Sequence, residues 1–577
     1  VILNSFLMNL GERRRQLAIL RALGTTRRQV TRLLLREAVL LGGAGTVLGM
    51  GAGVLLAQGL VRMEEQLLGV KLPPLRLSVQ PFLLALLLGP GMALAATVVP
   101  AWRAGRRSPL EAMLPRRSTP EPHEAHAGWA NYLGVVAAGL AVFFALGSGR
   151  LWPAAPSADV MPLVLTVLLV GTVLALPLIL GPLLGLTRRL LRRPFGIEGV
   201  IALRQLERQR TRTVLTTGVL FIGLMVSVGF GNTLLNNIRD IDIWFHNTIP
   251  ADFLVRRTLP DTGTLSSAAL PEEILTQVRA LDGVDPAVGR LTFVQAVAAG
   301  QPFILIARDF LPGRPLPLAL VEGTEEEVRR GLRRGEVAVG TALARRAGVG
   351  VGDEIVVRTR QGETALRVAA VIKEYTAGGM GLYLDWEKAQ SLLALPGIHG
   401  LEVYARPGEV DRAEKALRAL AASQGLLVQS NAEVQALVSD NIKSVEGFLW
   451  VLVALLLVVA SLGIVNTLTM NIHEQTRELG VLRAVGMRRF QVATVVLAQA
   501  VALGVLSVLP GVVGGIGMAY LMNVATHPLV GHVIAFRLNP GFVAGCAAVA
   551  LAVAVLASLL PARRAARLHV IQALHYE

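Results

Sequence analysis

One pattern is written twice in this chain, and each copy stands between two long apolar runs. Residues 2–30 recur at 464–492 without a gap, with about half of the positions identical. The first copy reads Asn4-Ser5-Phe6-Leu7-Met8-Asn9-Leu10-Gly11-Glu12, then Arg15, Leu17 and Leu20-Arg21-Ala22-Leu23-Gly24. The second reads Asn466-Thr467-Leu468-Thr469-Met470-Asn471-Ile472-His473-Glu474, then Arg477, Leu479 and Leu482-Arg483-Ala484-Val485-Gly486. A further pair of anchors repeats at matched spacing. Arg76-Leu77 precedes an apolar run closing on Pro100-Ala101, Arg103-Ala104 and Arg106, and Arg537-Leu538 precedes one closing on Pro561-Ala562, Arg564-Ala565 and Arg567. Two anchors at one spacing mean two copies of one module, and the apolar flanks make it a membrane module.

Composition agrees. The chain is 53% hydrophobic and 17% charged, with a mean hydropathy of +0.56. Apolar runs of bilayer-crossing length, about 20 residues each, are expected near 37–60, 81–101, 130–148, 160–186, 213–233, 447–470, 491–522 and 541–561, with the tail of another at 1–10. Glycines over 42–53 and 511–517 let neighbouring helices approach closely. The single cysteine, Cys546, falls inside a span and reads as a small packing residue.

Arginine crowds residues 11–36, 102–117, 188–212, 473–489 and 563–567, whereas 61–80, 149–159 and 523–540 hold only Arg62, Lys71, Arg76, Arg150 and Arg537. Alternation of this kind is the positive-inside pattern. It predicts a cytoplasmic C-terminus and puts the long insert, residues 236–446, outside. That insert holds fewer Lys and Arg than Asp and Glu, so the net charge of +16 belongs to the membrane and inner segments. Basic residues spread over inner loops meet anionic lipid and set topology, and nucleic acid is excluded as a partner.

The insert reads as a mixed α/β domain. Strands are expected at 336–339, 354–358, 366–372 and 401–404, and helices at 270–281, 341–347, 386–395 and 410–424. Residues 348–353 form a turn feeding a strand, without the strand-to-helix context of a phosphate cradle. Loops are expected at 259–264 and 377–381.

Catalytic patterns are missing: the sequence contains no phosphate-binding loop ending in Gly-Lys-Ser/Thr, no zinc pair of the His-Glu-x-x-His kind and no nucleophile elbow. His123, Glu124 and His126 lie in a Pro- and charge-rich linker, which reads as a solvated loop more readily than a metal site. Ionisable residues are nearly absent from the spans, against the mid-membrane carboxylate of an ion-coupled carrier. The energy source is therefore expected in another subunit. The duplicated motif offers a place for it to act. In each copy a span runs out through Glu12 or Glu474, and a short helix follows with apolar residues three apart: Leu17, Leu20 and Leu23, or Leu479, Leu482 and Val485. Glu12 with Arg15 and Glu474 with Arg477 are i,i+3 pairs, and Gly24 or Gly486 ends the helix so that the chain turns back. A short helix along the membrane surface is a lever for a partner pressing from below.

The run Glu474-Gln475-Thr476-Arg477-Glu478-Leu479-Gly480-Val481-Leu482-Arg483-Ala484-Val485-Gly486 resembles the signature of the FtsX-like permease family, the MacB/Lol type of ABC transporter membrane subunit. Residues 561–567 resemble the cytoplasmic exit of that domain, 201–212 its amphipathic lead-in helix, and 335–372 its extracytoplasmic domain. The resemblance implies an α-helical polytopic membrane protein with a duplicated FtsX-like transmembrane module and an inserted extracytoplasmic α/β domain. Its parts are 1–115, the end of a first module; 116–129, a cytoplasmic linker; 130–190, two linking helices; 191–235, the lead-in helix and first span of a second unit; 236–446, the outer domain; and 447–577, the second module. A chain opening inside a helix without methionine is read as part of a longer, two-unit permease, with a naturally degenerate first unit as the alternative.

By the same resemblance a separate ABC ATPase subunit binds ATP beneath the membrane, and the permease itself is no enzyme and carries no cofactor or metal. Glu12, Arg15, Arg21 and Gly24, with Glu474, Arg477, Glu478, Arg483 and Gly486, would form the two ATPase-coupling surfaces; no substrate-binding residue is assigned. The implied activity is ATP-driven export or extraction of an amphipathic lipid, lipoprotein or peptide at the bacterial inner membrane. The alternative is a relay that moves the outer domain to activate an extracytoplasmic protein. Membrane lipid and an outer substrate-delivery or effector protein complete the expected partners.

Overall fold

The computed structural model describes residues 14–68, 77–106, 128–147, 160–257, 268–359, 362–393, 395–532 and 534–567. The run at 1–10, the loop at 259–264 and the linker holding His123, Glu124 and His126 lie outside them. Before the outer domain come α1 (Arg14–Ala22), α2 (Arg27–Leu68), α3 (Val79–Arg106), α4 (Trp129–Gly147), α5 (Val160–Arg208) and α6 (Arg210–Thr248). After it come α12 (Asn431–Glu474), α13 (Thr476–Ala484), α14 (Arg489–Val530) and α15 (Pro540–Ala566). Seven of these are long and apolar enough to cross a membrane, α2, α3, α5, α6, α12, α14 and α15, and the apolar part of α4, Asn131–Phe144, is shorter. Helix α5 bends at Gly196 (φ 52°, ψ −127°), just past Pro194, so its last part leaves at a new angle beside the bundle.

Helices α6, α12, α14 and α15 share one core, with Leu224, Val228, Leu457, Ile464, Leu503, Leu506, Cys546 and Ala550 among its buried residues. Cys546 is fully buried there. Close packing depends on α14 having no side chain where α6 crosses. A Cβ at Gly511 would lie 3.1 Å from Leu224 Cδ2, one at Gly514 3.2 Å from Met225 Sδ and one at Gly515 2.7 Å from Val228 Cβ. Polar contacts hold the register: Ser507 Oγ donates to Thr217 O at 3.2 Å and Thr233 Oγ1 to Ala519 O at 3.3 Å, while Arg212 Nη1 reaches Asn471 Oδ1 on α12 at 3.2 Å. The first module repeats one part of this arrangement. Gly42, the counterpart of Gly504, faces Ala93 and Pro90 on α3. At Gly49 and Gly53, the counterparts of Gly511 and Gly515, a Cβ would meet nothing within 4 Å among the described residues.

Helices α6 and α12 carry the outer domain, whose elements are β1 (Phe253–Arg256), α7 (Glu272–Arg279), β2 (Gly289–Ala298), β3 (Gln301–Arg308), β4 (Ala319–Leu320), α8 (Glu325–Arg334), β5 (Val337–Gly340), α9 (Thr341–Ala347), β6 (Glu354–Thr359), β7 (Gly362–Lys373), β8 (Gly381–Asp385), α10 (Trp386–Leu393), β9 (Gly400–Val403), α11 (Val410–Gln424) and β10 (Leu427–Ser430). The mixed ten-stranded sheet runs β10-β1-β9-β2-β3-β8-β5-β7-β4, with β6 paired to β2 and β7. Alternation on β3 shows why both faces are covered. Phe303, Leu305 and Ala307 join α7, α9, α10 and α11 in one core, and Ile304 and Ile306 join Val328 and Leu332 of α8 in another. The loop expected at 377–381 holds a 3₁₀ turn, Thr376–Gly379, and reaches β8 after Met380.

The two carrier helices meet the sheet at a single edge. Helix α6 leads into β1 and β10 leads into α12; these strands pair antiparallel from Phe253 with Ser430 to Arg256 with Leu427. Asn431 N donates to Asp252 O at 2.7 Å. Arg308, at the end of β3, clamps this junction: Nε donates to Glu402 Oε2 at 2.9 Å and Nη1 to the Thr248 carbonyl at the end of α6 at 3.0 Å. The pair is 4% and 5% exposed. Burial pushes the Glu402 carboxyl up from its ordinary value, and the facing guanidinium offsets this in part.

Removing one member of a buried pair strands the other. Glu402→Ala is expected to cost the outer domain about 3–5 kcal/mol, read as earlier urea unfolding and protease cutting of the full chain in detergent. Gly515→Leu is expected to cost about 1–3 kcal/mol by overpacking, read as a lower midpoint in a thermal scan of the full chain.

Candidate functional site

Both copies of the duplicated motif build a short helix, closed by one type of cap. Helix α12 breaks at Gln475 (φ −99°, ψ 10°), and Thr476 Oγ1 turns back onto the Ile472 carbonyl at 2.8 Å, so α13 leaves the bundle in a new direction. Helix α13 ends with Gly486 N donating to Arg483 O at 3.2 Å and Met487 N to Leu482 O at 3.0 Å. Helix α1 ends with the same pair of bonds, Gly24 N to Arg21 O and Thr25 N to Leu20 O, both 3.1 Å. The longer bond, spanning six residues, marks a Schellman cap, which requires left-handed backbone at the glycine; φ is +103° at Gly24 and +112° at Gly486. The following helix is started alike in both copies. Gln29 Oε1 accepts from Thr26 N at 2.8 Å and Gln491 Oε1 from Arg488 N at 2.9 Å, the reciprocal half of a capping box.

Each short helix is nailed to its module by one leucine. Leu479 is buried with Val492, Ala562, Leu203 and Leu206, and Leu17 packs onto Val30, Leu34 and Ala101. The expected stripe at three-residue spacing is therefore no single buried face. Leu479 is 2% exposed, but Val485 is 83% exposed; Leu20 and Leu23 are 41% and 80% exposed. A helix turns 300° in three residues, so a spacing of three drifts around it and carries the third residue off the packed side. The outcome is an apolar tip at one register in both copies, Leu23 and Val485, each one residue before the capping glycine.

Glu12 lies outside the described residues. Of Arg15, Glu474 and Arg477 only the backbone placement is described: Arg15 in α1, Glu474 at the end of α12, Arg477 in the first turn of α13. Arg21 and Arg483 are half-buried. Glu478 takes a partner that spacing along its own helix does not reveal, Arg208 at the end of α5, whose Nη1 donates to Oε1 at 2.8 Å. Ile201, Arg204, Gln205 and Arg208 on α5 and Glu478, Val481 and Leu482 on α13 line an open groove of about 600 Å³. Residues 201, 204, 205 and 208 share one helix face, and that periodicity was the available signal for the half of the groove not assigned as a site from sequence. Gln205 is held from behind by the buried Gln499 Nε2 of α14. Glu198, on the same segment of α5, accepts from Gln491 Nε2 at 3.1 Å, so the α5 wall of the groove is tied to α14 at two points.

Known proteins resemble the chain in the same parts. The family described as FtsX-like permease C-terminal matches residues 1–109 and again 450–570, and the MacB-like periplasmic core domain matches 213–420. An uncharacterized ABC transporter permease protein, Rv0987, of Mycobacterium tuberculosis is 24% identical over 600 residues, covering 100% of this chain and 68% of that protein. The macrolide export ATP-binding/permease protein MacB of Agrobacterium fabrum is 24% identical over 66% of this chain and 56% of its own length. The pyoverdine export ATP-binding/permease protein PvdT of Pseudomonas savastanoi is 32% identical over 26% of this chain and 21% of its own. The chain thus spans just over half the length of that MacB. Among solved structures, the periplasmic region of MacB from Actinobacillus actinomycetemcomitans aligns over 34% of this chain with 13% identity and a TM-score of 0.25, too slight a likeness to bear on the argument.

The Arg208–Glu478 pair is 65% and 49% exposed. Exposed ion pairs contribute less than about 1 kcal/mol, so Arg208→Ala is expected to leave the thermal unfolding of the full chain nearly unchanged, and any defect it causes lies in what the groove binds.

Proposed function

Because this chain belongs to the FtsX-like permease family and carries a MacB-like outer domain, we propose that its two short helices are the docking points of a separate ATPase subunit. The chain is the permease part of an ABC transporter of the MacB/PvdT kind, a multi-pass membrane protein. The observation that supports docking is the repeated tip. Leu23 and Val485 stand at the same register, more than three-quarters exposed, in front of the same glycine cap. An apolar side chain facing water at the end of a tightly capped helix is suited to a partner's pocket, and two such tips suit the two halves of an ATPase dimer. ATP binding and hydrolysis belong to that partner. Glu478 and Arg208 in the groove, with Arg483 nearer the tip, supply the charge that sets the orientation of the docked subunit.

The exposed arginines 188, 189, 192 and 193 on α5, before the Gly196 bend, support a cytoplasmic placement for this end of the bundle, and hence for the C-terminus. There they face anionic lipid headgroups. The proposed activity is export or extraction of an amphipathic substrate; relatives named for macrolide and pyoverdine export support export.

The test is association and ATPase turnover of the co-encoded ATPase with the full-length protein in lipid. Leu23→Asp with Val485→Asp is expected to abolish association while the protein folds as wild type, because neither tip contributes to a core. Undiminished association in that double variant would sink the docking assignment.

A further inference from the structure

Helix α14 starts beside the docking helix and ends at the outer domain, where four side chains from three separate parts of the chain meet. It begins three residues after Gly486 and runs 42 residues, about 63 Å at 1.5 Å per residue. Past its outer end, Gly531 lies so close to α9 that a Cβ there would stand 2.4 Å from the Thr341 carbonyl carbon and 2.6 Å from Ala342 N. The next residue, His532, is buried, with Nε2 2.7 Å from Asp240 Oδ2. Asp240 sits on α6, two turns before its end. The hydroxyl of Tyr375 donates to the same oxygen at 2.6 Å, and Lys373 Nζ lies 3.3 Å from Oδ1. Tyr375 stacks edge-on with both His532 and Trp244, each at 5.6 Å between ring centres. Burial, then the Asp240 carboxylate, pushes the Tyr375 hydroxyl well up, so it remains the proton donor of this contact.

The position of this cluster on the sheet gives it leverage. Both covalent connections of the outer domain enter at the β1–β10 edge, whereas Lys373 and Tyr375 close β7, near the other end of the strand order. A domain held only along one edge pivots about that edge. A third attachment near the far end makes the tilt follow whatever bears on it. Here that is α14 with α6, which are packed side by side through Gly511, Gly514 and Gly515. The loop beyond His532 is tied to the same pair: Ile534 is buried, and Asn232 of α6 donates to Arg537 O at 3.1 Å and accepts from Asn539 N at 2.9 Å.

We propose that the Asp240–His532–Tyr375–Lys373 cluster is the transmission joint of this permease, through which α14 drives the outer domain about its β1–β10 edge. It rests on the docking role given to α13, which supplies the push. Asp240 and His532 are then positioning residues that convert displacement of a membrane helix into tilt of the sheet.

The experiment uses the full-length protein with its ATPase in lipid discs, with Cys546→Ser and spin labels at Val356→Cys on β6 and Val513→Cys on α14, both exposed. Association with the ATPase and the change in label separation on trapping ATP are measured separately. The wild type is expected to show a nucleotide-dependent change that His532→Ala and Asp240→Ala lose while still binding the ATPase. His532→Gln, whose amide still donates to Asp240, is expected to retain it, which separates a lost joint from a lost fold. An equal change in wild type and His532→Ala overturns the joint, as does a His532→Gln variant behaving like His532→Ala. A wild type that binds the ATPase without any change overturns the joint and leaves docking standing; one that does not bind overturns both.

Discussion

The absence of side chains on one face of α14 is the constraint on which the rest depends. Gly511, Gly514 and Gly515 let α6 lie against α14 at near backbone distance. Lipid gives no hydrophobic drive for two apolar helices to associate, so their contact rests on packing and a few polar bonds. A larger residue at Gly515 meets Val228 and separates the pair. The same two helices bring Asp240, on α6, and His532, just past the end of α14, to 2.7 Å.

The two modules use one local design. Both short helices carry the same cap and the same glutamine after it, and each packs a leucine of the same register inward, Leu17 and Leu479. Around α14 the glycine face is filled by α6. The α5 wall of the groove stands beside α13.

Much of this was legible in the residues. The membrane character, the pair of short helices and the glycines that end them follow from hydropathy, spacing and backbone preference, all local. The strands at β5, β6 and β9 were readable because each is a short run bounded by turn residues, and β7 because its burial alternates along the strand. Those at β1, β3 and β8 were not. In a sheet covered on both faces, Ile304 and Leu305 are equally buried, so the two-residue alternation that marks a half-exposed strand disappears. The stripe through Leu17, Leu20 and Leu23 misled for a related reason: spacing tells which residues share a face, and not which of them the neighbour covers.

By itself, the sequence determined that this chain is a duplicated membrane module with a domain set into it, because apolar runs, helix caps and their repetition depend only on neighbours along the chain. The tertiary structure decided that α6 fills the glycine face of α14 and that Arg208 answers Glu478. It also decided that Asp240, Lys373, Tyr375 and His532 meet at one oxygen-rich point between bundle and sheet. Those contacts join residues as far apart as 292 positions. Only the crossing of α6 over α14 and the register of β7 in the sheet bring them within hydrogen-bonding reach.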